Sequence, residues 1–349
     1  MSTTTEAKTK EVKCVVWDLD NTVWDGVLLE DENVQLKPGI REVLQTLDSR
    51  GILHSIASKN NYEDAIKKLE EFGIKDYFLY PEIHWNPKSH SIANIQKNIN
   101  IGMDTIVFID DQKFERDEVQ YNHEQVECID AVKYTELTEM PRMNPRFITV
   151  DSGRRRQMYM QDIHRKNIEA EYTGTPEDFL STLELEFTIS KATEEDLKRA
   201  EELTVRTHQL NSTGITFDYN ELRFFTHSEK HRLYVCELTD KYGSYGKIGL
   251  ALVEITDTHF HLKLLLMSCR VMSRGVGSVL MSFLMNEAKD AGKKLLADFK
   301  KTDRNRQMYV TYKFANFIEL DEKENIVLFE NDLSFIPLYP KYLKLTITE

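Results

Sequence analysis

This chain of 349 residues has few cysteines, no long apolar run and no excess of positive charge. Its four cysteines are irregularly spaced, so they predict neither a disulfide framework nor a zinc site, and the reducing cytosol is the expected location. No apolar run is long enough for a transmembrane helix, and residues 1–13 lack the apolar core of a signal peptide. The net charge is −13 because 45 Lys and Arg face 58 Asp and Glu. We therefore expect a cytoplasmic protein that binds neither membranes nor nucleic acid.

The most informative segment that is present is residues 13–22, an apolar run that ends in two carboxylates, Asp18 and Asp20. Side chains alternate along a strand, so the two carboxylates leave its end on the same side. Open α/β sheets bind their ligands at the carboxyl ends of strands. Like charges this close repel unless a cation lies between them or one carboxylate takes a proton. The pattern predicts a divalent-metal site with a carboxylate nucleophile.

Three later segments strengthen this prediction. A second apolar strand ends in the hydroxyl of Ser58, a loop is followed by Lys88, and a third apolar strand ends in Asp110 and Asp111. The order of nucleophile, hydroxyl, lysine and acid pair resembles the Asp-x-Asp phosphatase branch of the haloacid dehalogenase (HAD) superfamily over residues 10–140.

The HAD resemblance implies a role for each residue. Asp18 would attack phosphorus to form an aspartyl-phosphate, and Asp20 would protonate the leaving oxygen and then activate water. Ser58 and Lys88 would hold the phosphoryl oxygens. The alternative is a structural acidic cluster on a non-catalytic domain. The implied Mg²⁺ ligands are Asp18, Asp20, Asp110 and Asp111.

The chain is long enough for about two domains. In its first part, strands alternate with amphipathic helices over residues 40–47 and 62–72, which predicts a doubly wound parallel α/β sheet. Residues 23–39 suffice only for a short flap, so a large cap is not expected. The predicted divisions are a disordered tail over 1–12, a HAD-like phosphatase domain over 13–140, a helical linker over 141–180 and an acyltransferase-like domain over 181–349.

The last of these regions has the element order of the GNAT acyltransferase fold, which it resembles. In that fold an Arg-Gly-x-Gly loop at a helix start holds the phosphate of a pantetheine cofactor, a role implied here for Arg274, Gly275 and Gly277. Met272 departs from the fuller pattern, which has a basic or amide residue there. The departure favours the single phosphate of a carrier-borne phosphopantetheine arm over free CoA.

Cys269 lies between the end of a predicted strand and this loop. A thiolate beside Arg270 and near a helix N-terminus is expected to be nucleophilic, and the alternative is a small buried apolar side chain. The other cysteines lie in apolar strands and are expected in the core; they are Cys14, Cys128 and Cys236.

Four segments together resemble the FkbH-like family, in which a HAD subfamily IIIC domain is fused to a GNAT-like domain. They are residues 17–26, 206–214, 246–249 and 268–271. The resemblance implies a glyceryl-ACP synthase: it takes a glyceryl unit from 1,3-bisphosphoglycerate, removes the phosphates and loads D-glycerate onto the phosphopantetheine arm of an acyl carrier protein for polyketide biosynthesis.

His208 or Asn211 could support acyl transfer, but hydrogen bonding within their own loop is the favoured interpretation. The family usually has Asn at the position of His208. The alternative function is a phosphatase acting on a small sugar or acid phosphate, fused to a CoA-dependent N-acyltransferase. A third alternative is a non-catalytic scaffold that only binds metal. The basic run over 154–156 predicts a solvated helix face or a docking patch for an acidic protein.

Overall fold

The computed structural model describes residues 10–31 and 33–348. The chain forms two compact units, Met1–Met160 and Gln161–Glu349, so their division lies within the predicted linker. Residues 1–9 of the predicted disordered tail lie outside the described residues. Val12 is buried and its backbone N–H donates to the carbonyl of Arg142, so the ordered part of the first unit includes this residue.

The first unit is built on a five-stranded parallel sheet in the order β5-β4-β1-β6-β7. The chain adds strands outward from β1 in both directions, which confirms the predicted doubly wound sheet. The elements are β1 Cys14–Trp17, β2 Trp24–Asp25, β3 Gln35–Leu36, α1 Ile40–Ser49, β4 Leu53–Ser58, α2 Tyr62–Glu71, β5 Glu82–Ile83, α3 Lys88–Ile99, β6 Ile106–Asp110, α4 Lys113–Asn122, β7 Glu127–Asp130, α5 Val150–Gly153 and α6 Arg155–Glu171.

Burial of whole strands explains their continuous apolar sequence. Every residue of β1, β4 and β6 is buried, as expected for parallel strands covered on both faces. The strand pair β2–β3 is the short flap predicted over residues 23–39. Helix α1 buries the predicted apolar face, but the predicted face of α2 is wrong at Tyr62, which is 51% exposed. Ala65 packs inward instead, because it lies four residues before the buried Leu69.

Two residues of the basic run over 154–156, Arg155 and Arg156, form neither the predicted solvated helix face nor the predicted docking patch. Arg155 donates to the carbonyl of Gly51 at 2.6 Å. Arg156 donates to Asp48 at 2.9 Å and lies over the ring of Tyr77. These contacts anchor the start of α6 within the first unit.

The second unit contains an eight-stranded mixed sheet in the order β13-β14-β12-β11-β10-β9-β8-β15. Four antiparallel strands are followed by the parallel pair β11–β12, which confirms the GNAT-like α/β prediction. Its elements are α7 Pro176–Ser181, β8 Leu185–Lys191, α8 Leu197–Arg206, α9 Tyr219–His227, β9 His231–Asp240, β10 Gly243–Ile255, β11 His259–Met267, α10 Val276–Asp290, β12 Lys294–Lys300, α11 Arg306–Phe314, β13 Phe317–Lys323, β14 Ile326–Asn331 and β15 Leu343–Thr348.

Strands β11 and β12 pair only where His259–Leu262 faces Lys294–Ala297. Beyond that point a segment of the chain itself, residues 210–212, lies between them. Ser212 N–H donates to the carbonyl of Leu265, and Met267 N–H donates to the carbonyl of Leu210. On the other side, Lys300 N–H donates to the carbonyl of Ser212. We call these three residues the bridging segment.

Across residues 10–31 and 33–348, no helix has the length and apolar character needed to cross a membrane.

Candidate functional site

The first candidate site lies at the carboxyl ends of β1, β4 and β6. Lys88 is the first residue of α3, and its ammonium lies 2.8 Å from Asp18 Oδ1 and 2.5 Å from Asp110 Oδ2. All three side chains are at most 5% exposed. The register of β1 with β4 pairs Trp17 with Ile56, so buried Ser58 lies beside the chain just beyond Asp18. The fold therefore gathers the four predicted segments at one sheet edge.

Burial and mutual repulsion control the protonation of the acids. Burial, with the nearby charge of Asp18, raises the pKa of Asp110 to about 7 against the opposing effect of Lys88. The same causes raise the pKa of Asp111. Burial alone would lower the pKa of Lys88, but Asp18 and Asp110 outweigh it and raise that pKa. The lysine is therefore charged at neutral pH and partly compensates the acids.

The carboxylates of Asp18, Asp110 and Asp111 form a group whose ligand atoms lie within 4.8 Å of one another. The Oδ1 atom of Asp111 is buried and has no hydrogen-bond partner among the described residues. A buried, unsatisfied carboxylate oxygen is costly unless a cation contacts it. An all-oxygen donor set is the type that Mg²⁺ prefers, so the residues present fit this ion.

Asp20 was predicted as a metal ligand as well as an acid and base, but its carboxylate lies outside that group. Its Oδ1 accepts hydrogen bonds from the Trp24 indole at 2.8 Å and the Leu28 backbone at 3.1 Å. Its Oδ2 accepts from the Asn60 amide at 2.9 Å. Burial and the charge of Asp18 raise the pKa of Asp20, while these donors oppose the rise. This environment suits a group that gains and loses a proton.

Sequence reasoning missed three residues that shape this site. Asn60, which is 1% exposed, orients Asp20. Lys59 pairs with the buried Glu115 at 2.7 Å. Glu118 accepts hydrogen bonds from the backbone and hydroxyl of Ser89, directly after Lys88. Asn60 follows Ser58 by two residues, a spacing that could have revealed it; Glu118 is brought in by a different helix.

Cys269 lies just beyond β11, in a short helical turn, and is exposed. The alternative interpretation of Cys269 as a small buried apolar side chain is therefore wrong. Cys14 and Cys236 are fully buried as predicted, and Cys128 is half-buried. Burial raises the pKa of all three of these thiols, and that of Cys128 reaches about 12. They are therefore protonated at neutral pH.

The predicted phosphate loop is formed at the start of α10, but its three residues differ in role. The Arg274 side chain is buried, donates to Glu169 at 3.2 Å and lies over the ring of Phe179. Gly275 has φ +76°, and a Cβ there would lie 2.3 Å from the Tyr342 hydroxyl. A Cβ at Gly277 would meet no atom within 4 Å. Arg274 and Gly275 therefore hold the loop, and Gly277 leaves open space beside it.

Asn211 is buried within its own loop. Its side-chain oxygen accepts hydrogen bonds from the backbone of Thr213 at 3.1 Å and Gly214 at 2.8 Å. Its backbone carbonyl accepts from Asn305 at 2.9 Å. These contacts match the interpretation of Asn211 as a loop hydrogen-bonder. His208 is exposed just after α8.

Comparisons with known proteins agree with the division into two units. Residues 22–119 match the family model of haloacid dehalogenase-like hydrolases. The chain is similar to the human magnesium-dependent phosphatase 1, with 29% identity over 136 residues that cover 34% of this chain and 76% of the relative.

Solved structures are similar to parts of this chain. One is the N-terminal part of BF1531 from Bacteroides fragilis, described as containing a phosphatase domain complexed with Mg, at 34% identity and TM-score 0.34; the match covers 36% of this chain. This chain spans only 39% of that one. Another is the Escherichia coli ribosomal-protein-S18-alanine N-acetyltransferase, at 16% identity and TM-score 0.34, covering 44% of this chain and 99% of that one. The match to the hydrolase family model indicates an enzyme with a HAD-like hydrolase domain in its first unit. The second unit has a GNAT-like α/β fold by its own sheet topology.

Proposed function

We propose that this enzyme is a Mg²⁺-dependent phosphatase and glyceryltransferase. It takes a glyceryl unit from 1,3-bisphosphoglycerate and loads D-glycerate as a thioester onto an acyl carrier protein for polyketide biosynthesis. The observation that carries the phosphatase half is the buried cluster of Asp18, Lys88 and Asp110, with Asp20 oriented beside it. The exposed Cys269, in the turn that precedes the loop with the open Gly277, supports the transferase half.

Acyl capture begins at Cys269. Its thiolate attacks the carbonyl carbon of the acyl phosphate, so an S–C bond forms while the C–O bond to phosphate breaks. Inorganic phosphate leaves with the electron pair of that bond. The product is a phosphoglyceryl thioester on the enzyme, which still carries the second phosphate.

Removal of the second phosphate uses the first unit. Asp18 attacks phosphorus and becomes an aspartyl-phosphate, while Asp20 donates a proton to the departing glyceryl oxygen. Asp20 then accepts a proton from the water that hydrolyses the aspartyl-phosphate. Lys88 neutralises charge on the phosphoryl oxygens throughout. Asp18, Asp110 and Asp111 would hold Mg²⁺, which would supply further positive charge to the phosphoryl group.

The last step transfers the acyl group. The thiolate of the carrier's phosphopantetheine arm attacks the thioester carbonyl carbon. A new S–C bond forms while the bond to Cys269 breaks, so Cys269 leaves as a thiolate and the glyceryl-carrier thioester is formed. The small β2–β3 flap suits this order, because a phosphate on a protein-bound thioester needs an uncapped site. The name of the human relative, a magnesium-dependent phosphatase, supports the choice of metal.

Intact-protein mass spectrometry tests this proposal after incubation with Mg²⁺ and 1,3-bisphosphoglycerate. Wild type is expected to gain a glyceryl adduct, Asp18→Asn a phosphoglyceryl adduct, and Cys269→Ala none. Cys128→Ser is the matched control and keeps the adduct, because the wild-type Cys128 thiol is protonated. Phosphate release without an adduct on any variant would contradict the thioester mechanism.

A second candidate is a phosphatase of small sugar or acid phosphates fused to a CoA-dependent N-acyltransferase. The open space beside Gly277 favours it, because that loop suits any pantetheine phosphate. Micromolar binding of acetyl-CoA, together with the absence of a glyceryl adduct on Cys269, would favour this second candidate.

A further inference from the structure

Residues 300–314 carry a local charge opposite to that of the whole chain. They contain five Lys or Arg and one Asp, whereas the chain as a whole has a net charge of −13. Lys300, Lys301 and Arg306 are exposed, and no ion pair joins any of them to an acid in the described part of the chain. Their charges are therefore available to an external anionic group.

Exposed apolar side chains continue this basic region along α11. Met308 and Tyr312 face the core at 4% and 0% exposure, whereas Val310 and Phe314 lie on the opposite face at 38% and 85%. Arg306 precedes Val310 by four residues and so shares its face. We call Lys300, Lys301, Arg304, Arg306, Val310 and Phe314 the α11 surface.

The basic end of the α11 surface, Lys300 to Arg306, lies at the sheet edge that also carries Cys269. Helix α11 runs from there toward the opposite edge, because Phe317, just after it, is level with Leu295 at the start of β12. Strands β11 and β12 are parallel, so the residues after Met267 and after Lys300 leave the same edge. The bridging segment bonds to both strands, and Asn305, at the start of α11, donates to the carbonyl of Asn211. A protein seated on this basic end therefore lies at the edge that carries the exposed thiol of Cys269.

We propose that the α11 surface docks the acyl carrier protein, through carboxylates facing its cations and an apolar side chain packing on Phe314. This inference rests on the proposed function and adds the surface by which the partner is recognised. Cations at a rim steer an acidic partner, and an exposed aromatic residue supplies area that is buried on binding. A polynucleotide would gain from the same cations, so its binding is measured as the competing outcome.

Binding measurements on the full-length enzyme test the surface directly. The probes are the phosphopantetheine-bearing acyl carrier proteins of the source organism and, separately, a single-stranded oligonucleotide. We expect one of the carrier proteins to bind with a Kd that rises several-fold between 50 and 300 mM salt, roughly as screening predicts. The double variant Lys301→Glu/Arg304→Glu should weaken it at least about tenfold, and Phe314→Ser should weaken it at every salt concentration.

Lys289→Glu is the matched control. Lys289 is exposed near the end of α10, at the opposite edge from Lys300 and on a different helix from Phe314, so its reversal should leave the Kd unchanged. Wild-type affinity in both α11-surface variants, tighter binding of the oligonucleotide, or no binding of any carrier would overturn the proposal.

Mass spectrometry of the same variants separates this proposal from the proposed function. Normal loading of Cys269 with slow transfer from it in Lys301→Glu/Arg304→Glu supports both. Normal loading with wild-type transfer in that variant contradicts the docking surface and leaves the function standing. Carrier binding through the α11 surface without any loading of wild-type Cys269 contradicts the function and leaves the docking surface standing.

Discussion

At the scale of single residues, burial determines which ionisable groups are available for chemistry. Lys88 stays charged because two carboxylates contact it, and Asp20 is kept near its working range by three hydrogen-bond donors that oppose desolvation. His54, in contrast, is an ionisable group that burial keeps uncharged, since it is fully buried with no carboxylate partner in the described structure. Its ring is neutral: Nδ1 accepts from the Trp17 indole at 3.1 Å, which leaves Nε2–H to donate to the Leu44 carbonyl.

His54 should make the first unit sensitive to acid. Burial lowers the pKa of His54 to about 3, below its ordinary value of 6.5, so unfolding takes up a proton between these values. The resulting stability is fully present above pH 6.5 and is lost as pH falls toward 3. Between pH 7.5 and 5 we expect the free energy of unfolding to fall by about 2 kcal/mol from this residue.

Urea denaturation followed by tryptophan fluorescence measures this loss, because all three tryptophans lie in the first unit. His54→Gln retains an amide donor and acceptor but does not titrate. An unfolding free energy in this variant that falls with acid as steeply as in wild type would show that other groups are responsible.

At the scale of elements, helix starts and strand ends carry the chemistry. The N-terminus of α3 presents Lys88, and Glu118 of α4 caps that end through the Ser89 backbone at 3.0 Å. His123 also contacts the Ser89 carbonyl at 2.9 Å. The position of Lys88 therefore depends on α4 as well as on its own helix.

Replacing Glu118 tests this dependence. Glu118→Ala should cost about 1 kcal/mol of stability, as for loss of a helix cap, and should raise the KM for a phosphate ester because Lys88 is less well fixed. Asp117→Ala is the control, since Asp117 pairs only with exposed Lys113 at 2.5 Å in the described structure. Loss of stability with an unchanged KM would assign Glu118 a purely structural role.

The loop before α10 allows structural and binding roles to be separated. Gly277→Ala adds a methyl group into open space at an ordinary helical position, so stability should change by less than about 0.5 kcal/mol. Transfer of the acyl group to the carrier thiol should nevertheless slow, because the methyl group occupies the space beside the loop. Gly275→Ala, at φ +76°, should instead lower the melting temperature. Equal transfer rates in Gly277→Ala and wild type would exclude Gly277 from the arm's site.

At the scale of the whole molecule, each unit has a hydrophobic core of its own. One core packs against a face of the parallel sheet of the first unit, and two others cover the faces of the mixed sheet in the second. The carboxylate cluster belongs only to the first unit. A metal that binds this cluster should therefore stabilise one unit.

Scanning calorimetry with and without Mg²⁺ checks this expectation. We expect two transitions, of which only that of the first unit moves upward, by about 2.7 kcal/mol of stability at a hundred times the Kd. Asp111→Asn should reduce the shift by removing the charge of the acid whose oxygen lacks a partner. Equal shifts of both transitions would place the metal elsewhere.

The sequence alone determined the fold of both units and the set of acids, because strand and helix periods are local and each chemical group follows a predicted strand. It also placed Cys269 at the loop before α10. Only the tertiary structure decided that Asn60 and Trp24 hold Asp20, that Arg274 points inward to Glu169, and that residues 210–212 lie between β11 and β12. These contacts join residues distant in sequence or select one direction for a side chain. Local sequence periodicity cannot predict these contacts or side-chain directions, because they depend on packing and hydrogen bonding across the folded unit.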